Sequence, residues 1–439
     1  MPSGGDSTHH GRRSRAPRFT HRSQSHAHAH ANSPAASSAH VRHPLVSHDP
    51  PLLVTTQDKL LEVLADLRAS GSFAYDSEFI GELTYIPRLC LIQAASSKCV
   101  ALIDPLAALD LTPFWELVAD PWVEKIVHAG QQDVEPVFRA INKSPANLID
   151  TQAAAGFIGM GYPLSLSKLV MALVGAKLGK GLTFTQWDHR PLSDSQLRYA
   201  ADDVRFLPAV RHEIGARLNE LGHTAWAAEE SNALTDPALY VFDPDGQYMK
   251  IRGASSLPPS GLAVLRELAR WRDRAARQED VPPRSMLKDE ILLDLARSPI
   301  HSIDQLPRVR GLPRPVEANY GQAIVDATKQ ALALPIDQLP AERNHEPPPA
   351  EKFRADALFF AAQCICAGQQ IDPNLVTSRQ EIGELYRCAV NDQAIPDLRV
   401  LRGWRKAAVG DSLLLLLNGQ LGLSARWTAG ALHTDVKRI

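Results

Sequence analysis

From Pro51 onward, apolar and polar positions recur in patterns that a fold can use. Thr56-Gln-Asp-Lys-Leu-Leu-Glu-Val-Leu-Ala-Asp-Leu opens on a capping threonine and continues with apolar residues at helical spacing. Ser72 to Phe79 reads as a strand. Arg88-Leu-Cys-Leu-Ile-Gln-Ala-Ala and Cys99-Val-Ala-Leu-Ile-Asp read as two more, joined by a polar turn at Ser96-Ser97-Lys98. Lys125-Ile-Val-His is a short buried strand, and a helix follows through Val134, Val137 and Phe138. A hairpin-like run of strands, then strands alternating with helices, predicts an α/β mixed sheet flanked by helices.

Beyond about residue 160 the strand pattern fades, and Leu166 to Val174, Ser193 to Leu207 and Val210 to Leu221 read as helices. Residues 259–337 form a small helical unit. Residues 338–350 are rich in proline and read as a stiff linker, and residues 351–432 form a second helical unit. The two units are weakly self-similar: Pro283 matches Pro373 and Arg310-Gly311 matches Arg402-Gly403, at offsets of 90 and 92. Two copies are too few to propagate as a solenoid, so a duplicated domain is expected.

Composition changes this picture mainly at the N-terminus. The first 48 residues hold nine of the sixteen histidines and six arginines, with Asp6 as the sole acid. Such a segment cannot bury a core, so residues 1–50 are expected to form a disordered tail. An organelle transit peptide shares its Arg- and Ser-rich, acid-poor composition but would add an amphipathic face; the expected location is the cytoplasm. The remaining residues 51–225 form the α/β domain. The chain of 439 residues carries a formal net charge of −2, so nucleic-acid binding has to come from a local groove. Five cysteines at irregular spacing argue for reduced thiols, and no apolar run is long enough to span a membrane.

The chemistry is concentrated in three segments. Asp76 and Glu78, two apart on an apolar strand, project from one face. Buried like charges repel, and a divalent cation held by oxygen ligands, Mg²⁺ or Mn²⁺, is the usual remedy. His128-Ala-Gly-Gln-Gln-Asp133 turns a strand end into a helix start, where an acid also suits the helix dipole. Asp150 in Leu148-Ile-Asp-Thr-Gln reads as a helix cap. In Leu197-Arg-Tyr-Ala-Ala-Asp-Asp, Tyr199 shares a helix face with Asp203, and Asp202 lies close enough that spacing leaves both acids open.

Taken in order, Asp-x-Glu on a strand, His-Ala-Gly-x-x-Asp, Leu-Ile-Asp-Thr-Gln and Tyr-x-x-x-Asp on a helix resemble the DEDD family of 3′–5′ exonucleases, in its tyrosine branch. Tyr85-Ile-Pro-Arg-Leu-Cys-Leu-Ile-Gln and Leu182-Thr-Phe-Thr-Gln-Trp-Asp-His-Arg-Pro-Leu are similar to the ribonuclease D group within it. Both C-terminal units are similar to HRDC domains, the helical module shared by RecQ-type helicases and ribonuclease D. The resemblance covers roughly residues 50–430. It implies a ribonuclease H-like sheet followed by two HRDC-type domains, with Asp76, Glu78, Asp133 and Asp203 as ligands of two divalent metals, Mg²⁺ or Mn²⁺. It also favours Asp203 over Asp202 and gives Tyr199 the task of positioning the attacking water. The implied partner is RNA with a single-stranded 3′ end, particularly tRNA precursors. Lys180 and Arg190, ahead of Lys168, Trp187, Arg198 and Arg205, are candidates for backbone contacts, with His128 beside them.

The C-terminal units offer Trp271, Arg272, Trp404 and Arg405 as candidates for stacking or phosphate contacts. No Walker-type Gly-Lys-Ser/Thr loop is present, so no ATP-driven motor is expected. Two alternatives stand beside this reading: a DNA exonuclease of Werner type, and a catalytically silent RNA-binding scaffold.

Overall fold

The structure is a computed structural model that describes residues 43–179, 181, 185–340 and 348–439. Its centre is a six-stranded sheet in the order β1 (Leu52–Val54), β4 (Val100–Ile103), β3 (Arg88–Ala95), β2 (Ser72–Ile80), β5 (Glu124–Val127), β6 (Leu148–Asp150). Strands β2, β3 and β4 form an antiparallel meander, while β1, β5 and β6 pair in parallel at its edges. This is the mixed sheet expected from the sequence; the short edge strand β1 is an addition.

Both faces of the sheet are covered, which is why the strands read as nearly continuous apolar runs. Phe73, Tyr75, Ile92 and Ala94 face the helices α1 (Gln57–Ala69), α2 (Thr112–Val118) and α3 (Gln131–Ile141). Ala74, Ala95 and Ile126 face the opposite layer. That layer comprises α4 (Thr151–Gly156), α5 (Leu166–Leu173), α6 (Asp194–Arg205) and α7 (Leu207–Leu221), extended by α8 (Thr224–Asn232). Helix α6 begins with a reciprocal capping box between Ser193 and Gln196, which fixes where its first turn starts.

Residues 43–50, assigned to the tail from composition, are packed: Val46 is 4% exposed, and Arg205 donates to the carbonyls of Ser47 and Asp49. A turn is enough to bury one apolar residue, so composition alone set the boundary too late. Residues 1–42 lie outside the described residues.

The first helical unit has a core of its own. It contains α9 (Pro259–Gln278), α10 (Pro283–Met286), α11 (Asp289–Arg297) and α12 (Arg314–Leu332), packed around Leu265, Leu268, Trp271, Leu292 and Ile324. The second repeats its opening order in α13 (Pro349–Gly368), α14 (Pro373–Val376) and α15 (Arg379–Val390), then continues with α16 (Gly403–Arg405) and α17 (Asp411–Leu417). In both, a 20-residue helix opening on proline precedes a four-residue helix opening on proline.

Unlike the first, this second unit shares its core with the sheet domain. Trp404 packs edge-on against Phe157 with ring centres 4.5 Å apart, and its indole N–H donates to Glu230 at 2.8 Å. A side chain at Gly156 would collide with Leu375, whose Cδ1 lies 2.3 Å from where a Cβ would stand. The chain does not end in helix, as expected, but in an antiparallel hairpin of β7 (Leu421–Thr428) and β8 (Ala431–Arg438). Gly419, in the left-handed region at φ 69°, ends α17, and the apolar residues Leu423 and Val436 pin the hairpin to the core.

Candidate active site

Strand β2 runs through the middle of the sheet, so its alternate residues enter two different layers. Ala74, Asp76, Glu78 and Ile80 share the face covered by α6, whereas Tyr75 and Ser77 turn to the face covered by α3. The ladder slips between Glu78 and Phe79, where Cys90 of β3 is left without a partner. Such a bulge bends the strand beside the acids.

The second segment begins where β5 ends. Ala129 takes a left-handed conformation (φ 58°), and a Cβ on Gly130 would stand 2.4 Å from the Cβ of Val127. Only glycine permits this tight return, which puts Asp133 in the first turn of α3. The Ser77 hydroxyl donates to Asp133 Oδ1 at 2.5 Å, and the Tyr75 hydroxyl donates to the Asp133 carbonyl. Asp150 caps α4 by accepting from Gln152 N–H at 2.8 Å, as expected, and also accepts from Ala129 N–H at 3.0 Å. Its carboxylate thus supports the turn that delivers Asp133.

Helix α6 brings the third segment. Tyr199 and Asp203 stand over β2, and Asp202 lies to one side with Arg205 Nε at 3.6 Å. Burial is the main cause of every acid shift here. It raises Asp76 well above the usual carboxylate range, with repulsion from Asp133, Asp203 and Glu78 adding to it. Glu78 rises to about 8 and Asp203 to about 7, while Asp133 rises to about 6 against the stabilising hydrogen bond from Ser77. Tyr199 is also pushed above its ordinary value, first by burial and then by the charges of Asp203, Glu78 and Asp76. The fold therefore brings together Asp76, Glu78, Asp133, Tyr199 and Asp203.

Four carboxylates gathered where each is buried or half-buried cannot all be ionised at neutral pH without a compensating cation. The donors are all oxygen, which suits a hard divalent ion. Among the described residues no three of these side chains already converge on one point. The set fits such ions by its chemistry and is not closed around one.

The candidate RNA contacts fare differently. Arg190 uses all five of its donors inside the protein: Asp104 takes two at 2.6 Å, and the carbonyls of Cys90, Trp187 and His189 take three at 2.7–2.8 Å. It clamps the segment before α6 to the bulge in β3 and has no donor left for a phosphate. Likewise, both ring nitrogens of His128 are occupied, by Thr151 Oγ1 and the Leu164 carbonyl, each at 3.0 Å. Lys180 lies outside the described residues. Trp271 and Trp404 are buried, Arg272 donates to Leu287 and Asp289, and Arg405 donates to Glu230. Trp271 and Arg272 hold the first helical unit together, whereas Trp404 and Arg405 tie the second to the sheet domain, which spacing could not show because the partners lie elsewhere in the chain.

Sequence reasoning passed over Ser77, whose only signal is a hydroxyl between two acids on a strand. It also passed over Tyr85 as a domain contact. Tyr85 follows the end of β2, and its hydroxyl donates to Asp273 of α9 at 2.6 Å while Arg277 covers its ring at 4.8 Å.

A family model described as 3′–5′ exonuclease matches residues 51–219, and an HRDC domain model matches residues 261–328. A ribonuclease D from Gluconacetobacter diazotrophicus is 37% identical over 89% of this chain and 97% of its own length. The chain belongs to the ribonuclease D family. It is therefore an exoribonuclease, a phosphodiester hydrolase. Ribonuclease D of Granulibacter bethesdensis is 34% identical over 85% of this chain and 94% of its own. The crystal structure of Escherichia coli ribonuclease D, described as an exoribonuclease involved in structured RNA processing, superposes with a TM-score of 0.72 at 29% identity. That match covers 83% of this chain and 98% of the other. No described helix is long and apolar enough to cross a membrane.

Proposed function

We propose that this chain removes nucleoside 5′-monophosphates one at a time from RNA 3′ ends by two-metal hydrolysis, in the manner of the tyrosine branch of DEDD exonucleases. One observation carries the reading: four mutually repelling carboxylates and a tyrosine, from three separate segments, stand close enough to perturb one another. A scaffold without catalytic duty has no use for that electrostatic burden.

In this reading Asp76 would be shared by both ions, Glu78 and Asp203 would help hold one, and Asp133 would help hold the other. When bound, two divalent cations neutralise the scissile phosphate, acidify the attacking water and stabilise the leaving 3′ oxygen. Ser77 and the backbone clasp of Tyr75 would hold Asp133 in place beside β2. Burial, and then the charges of Asp203, Glu78 and Asp76, hold the Tyr199 phenol above its ordinary value, and its hydroxyl would orient the attacking water by hydrogen bonding.

The substrate class we infer is structured RNA with a free 3′ end, tRNA precursors foremost, acting in the cytoplasm. Support comes from the Escherichia coli relative's role in structured RNA processing and from five free thiols, which suit a reducing compartment. We read residues 351–417 as a second HRDC-type unit, on the repeated helix order that opens with Pro349 and Pro373. A time course on 3′-extended tRNA, with Mg²⁺, with Mn²⁺ and with chelator, tests the whole reading. Release of 5′-monophosphates only with metal, and loss of release in Asp76→Asn, is expected. Equal rates on matched RNA and DNA strands would overturn the RNA assignment.

A further inference from the structure

Directly across the sheet from Asp76 stands Gln93 of β3. Opposed residues of an antiparallel pair project to the same face, with Cβ atoms about 4.5–5.5 Å apart. The Gln93 side chain therefore rises beside Asp76 into the layer roofed by α6, the helix that carries Tyr199 and Asp203. It is 0% exposed. On the same face lie Leu91 and Leu102 with Ala200 on one side, and Ala95 with Ala201 and Val204 on the other.

Despite these apolar surroundings, neither Oε1 nor Nε2 of Gln93 has a hydrogen-bond partner among the described residues. An enclosed amide without partners lowers stability, and a methionine of nearly the same volume would fill the space without that loss. A polar group at such a position calls for a hydrogen-bond partner. The carboxylate of Asp76 is its cross-strand neighbour, within reach of the two extra carbons of a glutamine.

We propose that Gln93 is a positioning residue for Asp76. Its Nε2 would donate to the Asp76 carboxylate when that carboxylate holds a divalent cation, and so orient it toward the ion. This rests on the reading of Asp76 as a metal ligand. Gln93 touches neither RNA nor the reacting atoms, and its effect passes through Asp76.

The test uses the full-length protein with Mn²⁺ as probe. Gln93→Met, Gln93→Leu, Asp76→Asn and the double variant Asp76→Asn/Gln93→Met are compared by calorimetric Mn²⁺ titration, by thermal unfolding in chelator and by steady-state kinetics. Both Gln93 variants should unfold in chelator at or above the wild-type temperature. Their Mn²⁺ affinity should fall at least tenfold, as expected for loss of a group that orients a ligand. The value of kcat should fall with little change in KM, and in the Asp76→Asn background the second substitution should change nothing further. Wild-type Mn²⁺ affinity in Gln93→Met, or a loss of affinity accompanied by a lower unfolding temperature in both Gln93 variants, would overturn the proposal. The metal reading itself fails separately, if Asp76→Asn binds Mn²⁺ as tightly as wild type.

Discussion

The hydroxyl of Ser77 donates to Asp133 at 2.5 Å, joining the central strand to the first turn of α3. Because Ser77 lies between Asp76 and Glu78 but faces the other layer, one strand both presents two acids and anchors a third. Ser77→Ala should leave Asp133 without this restraint and cost about 1.5–3 kcal/mol of stability, the range for a hydrogen bond to a charged group. Single-turnover rates should drop several-fold while RNA binding holds. An unchanged rate would show that Tyr75 alone suffices to place Asp133.

Tyr199→Phe removes one oxygen and little volume. Turnover should fall by ten- to a hundredfold with Mn²⁺ affinity intact, since the phenol orients the water and does not hold the ion. Rapid-quench measurement of the first turnover separates this from slow product release.

The pH dependence of stability follows from the raised acids. Glu78, Asp203 and Asp133 rise to about 8, 7 and 6, whereas the same groups in the unfolded chain titrate near 4. Between these limits the folded protein holds more protons than the unfolded one, so stability falls as pH rises from about 4 to about 8. Below about 4 that contribution is fully present. A divalent cation favours the ionised forms, so the rise in unfolding temperature on adding Mg²⁺ should be larger at pH 8 than at pH 5.5. Scanning calorimetry at both pH values checks it, and equal shifts would separate the acids from metal binding.

Arg190→Lys keeps the charge but loses the fork that reaches Asp104 and three carbonyls at once. It should cost about 2 kcal/mol, below the usual range for breaking a buried pair because the guanidinium is partly exposed. The KM for RNA should stay near wild type once the protein is folded. A raised KM without loss of stability would return Arg190 to the list of RNA contacts.

How much was legible from the sequence depended on the range over which each feature is determined. Strands β2 to β5 and helices α3 and α6 were readable because their periodicity is local. Asp76 with Glu78, and Tyr199 with an acid, followed from strand and helix geometry. The choice between Asp202 and Asp203 required the neighbouring strand: the fold turns Asp203 toward the acids and leaves Asp202 beside Arg205. Arg190 and His128 looked available because their partners, Asp104 and Leu164, are far along the chain. The terminal hairpin was missed although β7 alternates Leu421, Leu423, Ala425 and Trp427 with polar or small residues; most of the hairpin is exposed, and only Leu423 and Val436 reach the core, on distant residues.

The shared core around Trp404 and Phe157 has a consequence for how the protein is made. Phe157 belongs to the layer that backs the sheet, yet Trp404 completes its surroundings from far along the chain. During synthesis the nuclease half leaves the ribosome with that apolar face uncovered and can close it only after the last helices emerge. Chains truncated before α16 should therefore aggregate or be proteolysed and not act as a shortened exonuclease, so that hydrolytic activity needs the chain at least through α16.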